Sequence, residues 1–180
     1  MSHPPMRFHV LDGSRVFIDL RAAGLLRSLA HSPTLRASPE SFAVELANGE
    51  AALVARFRAD AIELPDGMSE GDRDKMRDNL TSPDVLDAKR HPTIEFRGRY
   101  AGTTEGGTLA GELVVRGHPA RVAMPVRVAR QWETFAADAS WEGTLTGLGV
   151  KPYKALLGAI KLEDWIGLRL EVRFRESPDR

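Results

Sequence analysis

Apolar and polar residues alternate with a period of two through most of the chain. Val16, Ile18 and Leu20 alternate with Arg15, Phe17 and Asp19, after an Asp12-Gly13 turn. Phe42, Val44 and Leu46 run up to Asn48-Gly49, and Leu53, Ala55, Phe57 and Ala59 leave it. Ile94, Phe96 and Tyr100 alternate with Glu95, Arg97 and Arg99. Further series are Leu109, Leu113 and Val115; Val122, Met124, Val126 and Val128; Phe135, Ala137, Ala139 and Trp141; and Leu168, Leu170, Val172 and Phe174. Each is the signature of a strand with one buried face. Asn48-Gly49 accepts the positive φ angles of a tight hairpin, and Gly106-Gly107 and Gly117-His118-Pro119 supply two more turns. Pro125 has no N–H for a ladder, so it belongs at a bulge or on the open side of an edge.

Three stretches break this rhythm and predict helices. Ser69 stands three residues before Asp72 as an N-cap, and Met76 and Leu80 then share one face of a charged segment that Pro83 ends. Ala22 to Ala30, with Leu25, Leu26 and Leu29, reads as a short helix that His31-Ser32-Pro33-Thr34 breaks. Tyr153 to Ile160 reads as another, starting after Pro152. Seven or eight strands at hairpin spacing with three helical inserts predict one all-β domain, an antiparallel barrel or sandwich, over residues 8–175. Residues 1–7 and 176–180 are then tails.

The segment from Arg77 to Phe96 carries a resemblance. Arg77-Asp78-Asn79-Leu80-Thr81-Ser82, followed by Asp87-Ala88-Lys89-Arg90-His91-Pro92-Thr93-Ile94-Glu95-Phe96, resembles the central motif of YceI-like proteins. Leu109 to His118 resembles the family's strand ending in a small-residue turn, and Leu145 to Val150 its C-terminal segment. The motifs fall in the expected order from about Phe8 to Phe174. The resemblance implies a lipocalin-like antiparallel β-barrel of about eight strands, with a cavity that in some relatives binds polyisoprenoid lipids. The chain departs from the pattern at Thr144-Leu145-Thr146, where many relatives carry an Arg-Ser/Thr-Asp/Asn-Phe-Gly run.

Composition narrows the chemistry. With no cysteine among 180 residues, disulfides, thiolate catalysis and Cys-ligated metals are excluded. Twenty-five basic and 25 acidic residues cancel, which removes the basic footprint of a nucleic-acid-binding domain. No apolar run approaches the ~18 residues of a membrane span, so no integral membrane association is expected. Met1 to Arg7 has no apolar core of a signal peptide, which points to the cytoplasm, or to the periplasm if a signal was removed. The five histidines lack metal-site spacing, so no metal is expected.

A closed sheet of about eight strands leaves room for side chains or for one small ligand. The inward series mixes large residues with Ala55, Ala59, Gly98, Gly111, Ala137 and Ala139. Such a mixture leaves space on several strands or interdigitates to fill a taper, and the resemblance favours a pocket. The expected lining is His31, Phe42, Phe57, Phe96, Leu113, Met124, Ala137, Ala139, Trp141 and Phe174. His31 matches a histidine frequent after the first helix of YceI-like sequences. Lys151, Tyr153 and Lys154 are the candidate headgroup residues; solvated charge on a helix end is the alternative. The expected activity is non-enzymatic binding, transport or sequestration of an amphiphilic lipid, quinone-like or a fatty amide. No cofactor is required beyond a bound isoprenoid or other lipid, and a homodimer is left open. The alternatives are an enzyme using His31 as general base, or a filled barrel acting as an interaction module.

Overall fold

The computed structural model describes residues 6–23, 32–47, 50–155 and 160–177. The chain runs through β1 (Met6–Val10), β2 (Arg15–Ala23), β3 (Thr34–Ala37), β4 (Ser41–Ala47), β5 (Glu50–Arg58), helix α1 (Glu70–Thr81), β6 (Thr93–Gly102) and β7 (Gly106–Val115). It continues through β8 (His118–Gln131), β9 (Thr134–Gly143), a two-residue β10 (Lys154–Ala155) and β11 (Ile160–Glu176). Single 3-10 turns stand at Ala59–Ala61 and Thr146–Leu148.

All strand pairs are antiparallel, and the sheet closes on itself because β11 pairs with both β9 and β1. β1 with β2, and β3 with β4, are the two halves of bent strands. Thus β1 pairs β4 at one end while β2 pairs β3 at the other. The wall is therefore an eight-stranded barrel, as the alternation predicts. Ser14 holds the first bend: its hydroxyl donates to Leu11 O and accepts from Arg173 N. Pro125 sits where β8 leaves β9, since their ladder begins at Val126↔Ala139. Its missing N–H falls on the open side, as expected.

Ser69 caps α1 by accepting from Asp72 N at 3.2 Å, while Met76 and Leu80 pack on the buried cluster around Leu35, Ile62 and Leu86. That end of the barrel is the more densely packed; Leu64, 2 % exposed, lies there.

Four local expectations are corrected. The helix over Tyr153 to Ile160 is not formed: Lys154 and Ala155 pair with Lys161 and Ile160, residues 156–159 lie outside the described residues, and Ile160 opens β11. A strand partner close in sequence satisfies this backbone and overrides its Ala/Leu helix propensity. The helix expected over Ala22 to Ala30 does not include Ala22 and Ala23, which extend β2 against Leu162 and Lys161; residues 24–30 lie outside the described residues. Gly106 and Gly107 open β7, so the turn is at residues 103–105. The next turn is Arg116-Gly117, with φ of 52° and 72°, while His118 and Pro119 already pair with Val115 and Val114. The Asn48-Gly49 turn lies outside the described residues.

Rings lie over glycines two residues along the strand. A Cβ at Gly98 would lie 2.6 Å from the Phe96 ring, and one at Gly167 would lie 2.7 Å from the Trp165 ring. A Cβ at Gly143 would collide with the Trp141 ring. Where Gly98 faces Gly111, the β6 and β7 backbones approach too closely for a side chain on Gly111. Some of the small residues thus make room for neighbouring rings rather than for a ligand.

Candidate functional site

The inward faces of the barrel leave a chamber of about 1070 Å³. Phe42, Phe57, Phe96, Leu113, Met124, Ala137, Ala139 and Phe174 all line it. The register explains why they meet. Phe96 faces Ala55 and Leu113 on its two neighbours, Leu109 faces Met124, and Ala139 faces Val126 and Leu170. Near the end formed by turns 103–105 and 132–133, Phe8, Phe135 and Phe174 form one aromatic group. Phe135 and Phe174 stack at 5.3 Å between centroids, with Phe8 edge-on to both at 6.1 and 5.7 Å. Tyr100 also faces the chamber and donates its hydroxyl to Thr103 O at 2.6 Å; burial raises its pKa.

Trp141 is the exception among the expected lining residues. Its ring folds back over Gly143 and touches both buried clusters instead of the chamber surface. It pairs with Leu168, which together with Val16, Phe57 and Leu113 lines both the large chamber and a second cavity of about 450 Å³. The barrel interior is therefore divided by an apolar waist. Lys151 and Tyr153 line the second cavity together with Asp72, Lys75 and Asn79 of α1 and with Lys161; Lys154 does not. Lys154 is exposed on β10, so the three expected headgroup residues are only partly brought together. Lys75 and Lys161 escape a reading of local sequence because α1 and β11 bring them to Lys151 from far along the chain.

The large chamber ends in a balanced polar rim. Arg130 and Arg175 are offset by Glu133 and Glu176, and Thr103, Thr104 and Ser177 add hydroxyls, while Arg15 is a further charged residue of the chamber lining. Phe8, Val44, Leu53, Val122, Val128, Phe135 and Val172 also line the chamber. They were not among the expected residues, although most lie two positions from one that was. His31 lies outside the described residues. His91 packs beside Gly117, His118 beside Gly149, and His9 accepts from Arg175 Nε at 2.6 Å, none of them on the chamber wall. Among the described residues no group of His, Asp or Glu could hold a metal, and no helix is long and apolar enough to cross a membrane.

Comparison with known proteins agrees with this architecture. The crystal structure of Burkholderia cenocepacia BcnA has a TM-score of 0.70 at 16 % identity, covering 89 % of this chain and 95 % of that one. Campylobacter jejuni YceI protein has a TM-score of 0.56 at 12 % identity, with 79 % and 85 % covered. A mutant of that protein holding a monobromobimane guest has a TM-score of 0.57 at 11 % identity, with the same coverage. At these identities the likeness speaks for the fold. No curated protein matches the sequence. The family model of the YceI-like domain matches residues 25–174, most of the chain and all of the strands from β3 to β9, and the protein belongs to the YceI-like family.

Proposed function

We propose that this protein binds and carries one amphiphilic lipid, with the apolar tail in the large chamber and the head at its polar rim. The observation that carries this reading is the chamber: about 1070 Å³ bounded mostly by aliphatic and aromatic side chains, with Arg15 and the polar rim as the exceptions, at the top of the range of ligand pockets. A tail that buries about 400 Å² of apolar surface gains roughly 10 kcal/mol before the losses of association, at about 25 cal/mol per Å². No catalytic group is needed for that. The near-neutral rim suits an uncharged head, as in an isoprenoid quinone or a fatty amide. Membership of a family of polyisoprenoid-binding barrels supports the same class.

A second orientation rests on the lysines. All ion pairs among the described residues use arginine, so Lys75, Lys151 and Lys161 form none, and at the second cavity these three face a single carboxylate, Asp72. An anionic head at these three, with Tyr153 beside them and Lys154 nearby on β10, would send its tail past the waist into the large chamber.

Native mass spectrometry of freshly purified protein tests the carrier reading. A retained lipid mass is expected, and a bare chain that also takes up no added quinone or fatty amide overturns it. Lys151→Gln with Lys161→Gln separates the orientations, because only a head at the lysines is weakened by the change.

A further inference from the structure

The β8–β9 hairpin ends in a two-residue loop, Trp132-Glu133, between the paired Gln131 and Thr134. Trp132 is 94 % exposed, the most exposed large apolar side chain described, and its φ is +58°. A bulky residue at positive φ is a backbone outlier, and the first position of such a loop ordinarily goes to glycine or asparagine. The turn at the opposite end of the barrel also starts with a long side chain at positive φ, Arg116, but follows it with Gly117. Trp132 therefore carries both backbone strain and a water-exposed indole.

The loop is held rather than loose. Thr134 Oγ1 donates to Gln131 O at 2.8 Å, and Arg130 Nε donates to Trp132 O at 3.2 Å while its guanidinium lies over the Phe135 ring. Phe135 belongs to the aromatic group of the large chamber, and Arg130 and Glu133 stand on its rim. So the exposed indole is presented at the chamber mouth by residues that also form it. Met6, 41 % exposed, is on the same rim.

We infer that this rim docks on a lipid bilayer, with Trp132 inserted among the headgroups and the chamber mouth turned to the membrane. The inference rests on the carrier reading, since a cargo soluble in bilayers must be loaded from one or delivered to one. An indole prefers the membrane–water boundary, where its ring is apolar and its N–H stays hydrated. The rim's arginines and glutamates cancel, so the contact depends on the indole and not on attraction to anionic lipid. A surface of zwitterionic lipid is the partner it fits.

Sedimentation with phosphatidylcholine vesicles tests this, using the full chain, the wild type and Trp132→Gly. Glycine accepts the positive φ, so the variant keeps its fold with an unchanged or raised Tm. Vesicle binding is expected to fall about tenfold or more. That equals about 1.4 kcal/mol, or about 55 Å² of apolar surface at about 25 cal/mol per Å², a fraction of what an indole buries. Brominated phosphatidylcholine should quench wild-type fluorescence and leave the variant, which retains Trp141 and Trp165, unquenched.

Equal vesicle binding by both proteins overturns the inference. So does binding confined to phosphatidylglycerol vesicles and abolished by salt, or a dimer that Trp132→Gly dissolves in the absence of vesicle binding. A wild type that retains lipid but ignores vesicles overturns docking alone. A Trp132 quenched by vesicles on a protein that never takes up lipid overturns the carrier reading alone.

Discussion

Replacing Ala137 with phenylalanine distinguishes a chamber that is hollow in solution from one that collapses. Ala137 stands between Val128 of β8 and Val172 of β11, and all three line the large chamber close to Phe135 and Phe174. A ring added there enters space rather than neighbouring atoms, so its own burial offsets the rearrangement. The change in stability should stay below about 1 kcal/mol, less than about 4 °C in Tm for a chain of this size. Ala59 supplies the comparison. It is 1 % exposed, packed in the buried cluster near Leu64, and borders neither cavity. The same ring at Ala59 overpacks a filled core and should lower stability by about 2–3 kcal/mol, roughly 4–12 °C. Lipid capture should move the other way. Ala137→Phe takes wall from the tail, and losing about 55 Å² of apolar contact already weakens binding about tenfold, whereas Ala59→Phe leaves the wall intact. Thermal melts and titration with a quinone analogue read both effects. Equal destabilisation by the two substitutions, with no lipid bound by the parent protein, would refute the hollow chamber.

Gly111→Ala should destabilise by about 1–3 kcal/mol in urea titration, because its Cβ meets Arg97 O and Gly98 Cα. A glycine in open space would instead gain stability from alanine, so the sign of the change is decisive. The acid limb of stability should depend on Asp19, which accepts from Arg169 Nε at 2.7 Å and from Thr34 Oγ1 at 2.6 Å. The hydrogen bond from Arg169 lowers its pKa in the folded state. Its contribution is therefore complete above the unfolded value of about 3.9 and disappears as pH falls through the lower folded value. Asp19→Asn should lower stability at neutral pH and flatten that limb; parallel curves for variant and parent would contradict the coupling.

Most of the barrel was legible because period-2 alternation reports a half-buried strand wherever it occurs, and β4 to β9 are plain examples. The failures share a cause. Tyr153, Lys154 and Ala155 have helical composition, yet the backbone there pairs with β11, and local sequence does not record a partner. Eight of the expected lining residues reach the chamber because an inward face fixes direction. Trp141 misses it because direction from the sheet says nothing about the rotamer that lays the ring over Gly143. Gly98 and Gly111, for which the pattern allowed either ligand space or a filled taper, make room for the Phe96 ring and for close backbones. Lys75 and Lys161 needed the fold to bring them to Lys151. Trp132 interrupts no pattern, and only its exposure and positive φ distinguish it.

Unequal packing along the barrel predicts what removal of the lipid does. At the α1 end, Leu35, Ile62, Leu64 and Leu148 are at most 4 % exposed and contact one another in one cluster. At the rim end, Phe8, Phe135 and Phe174 contact each other but face the chamber with their remaining surface. Side chains around an unfilled space forgo dispersion contacts on that side, so a bound tail adds stability that the empty wall lacks. A lipid present at about 100 times its Kd stabilises the folded state by about 2.7 kcal/mol, roughly 5–11 °C for this size of chain. Extraction with a neutral detergent should lower Tm by that amount, and added lipid should restore it. Hydrogen exchange should then slow at the rim halves of β8, β9 and β11, and remain unchanged around Leu64. An equal slowing at both ends would mean that the ligand stabilises the barrel as a whole, and an unchanged Tm would mean that the chamber holds no tail.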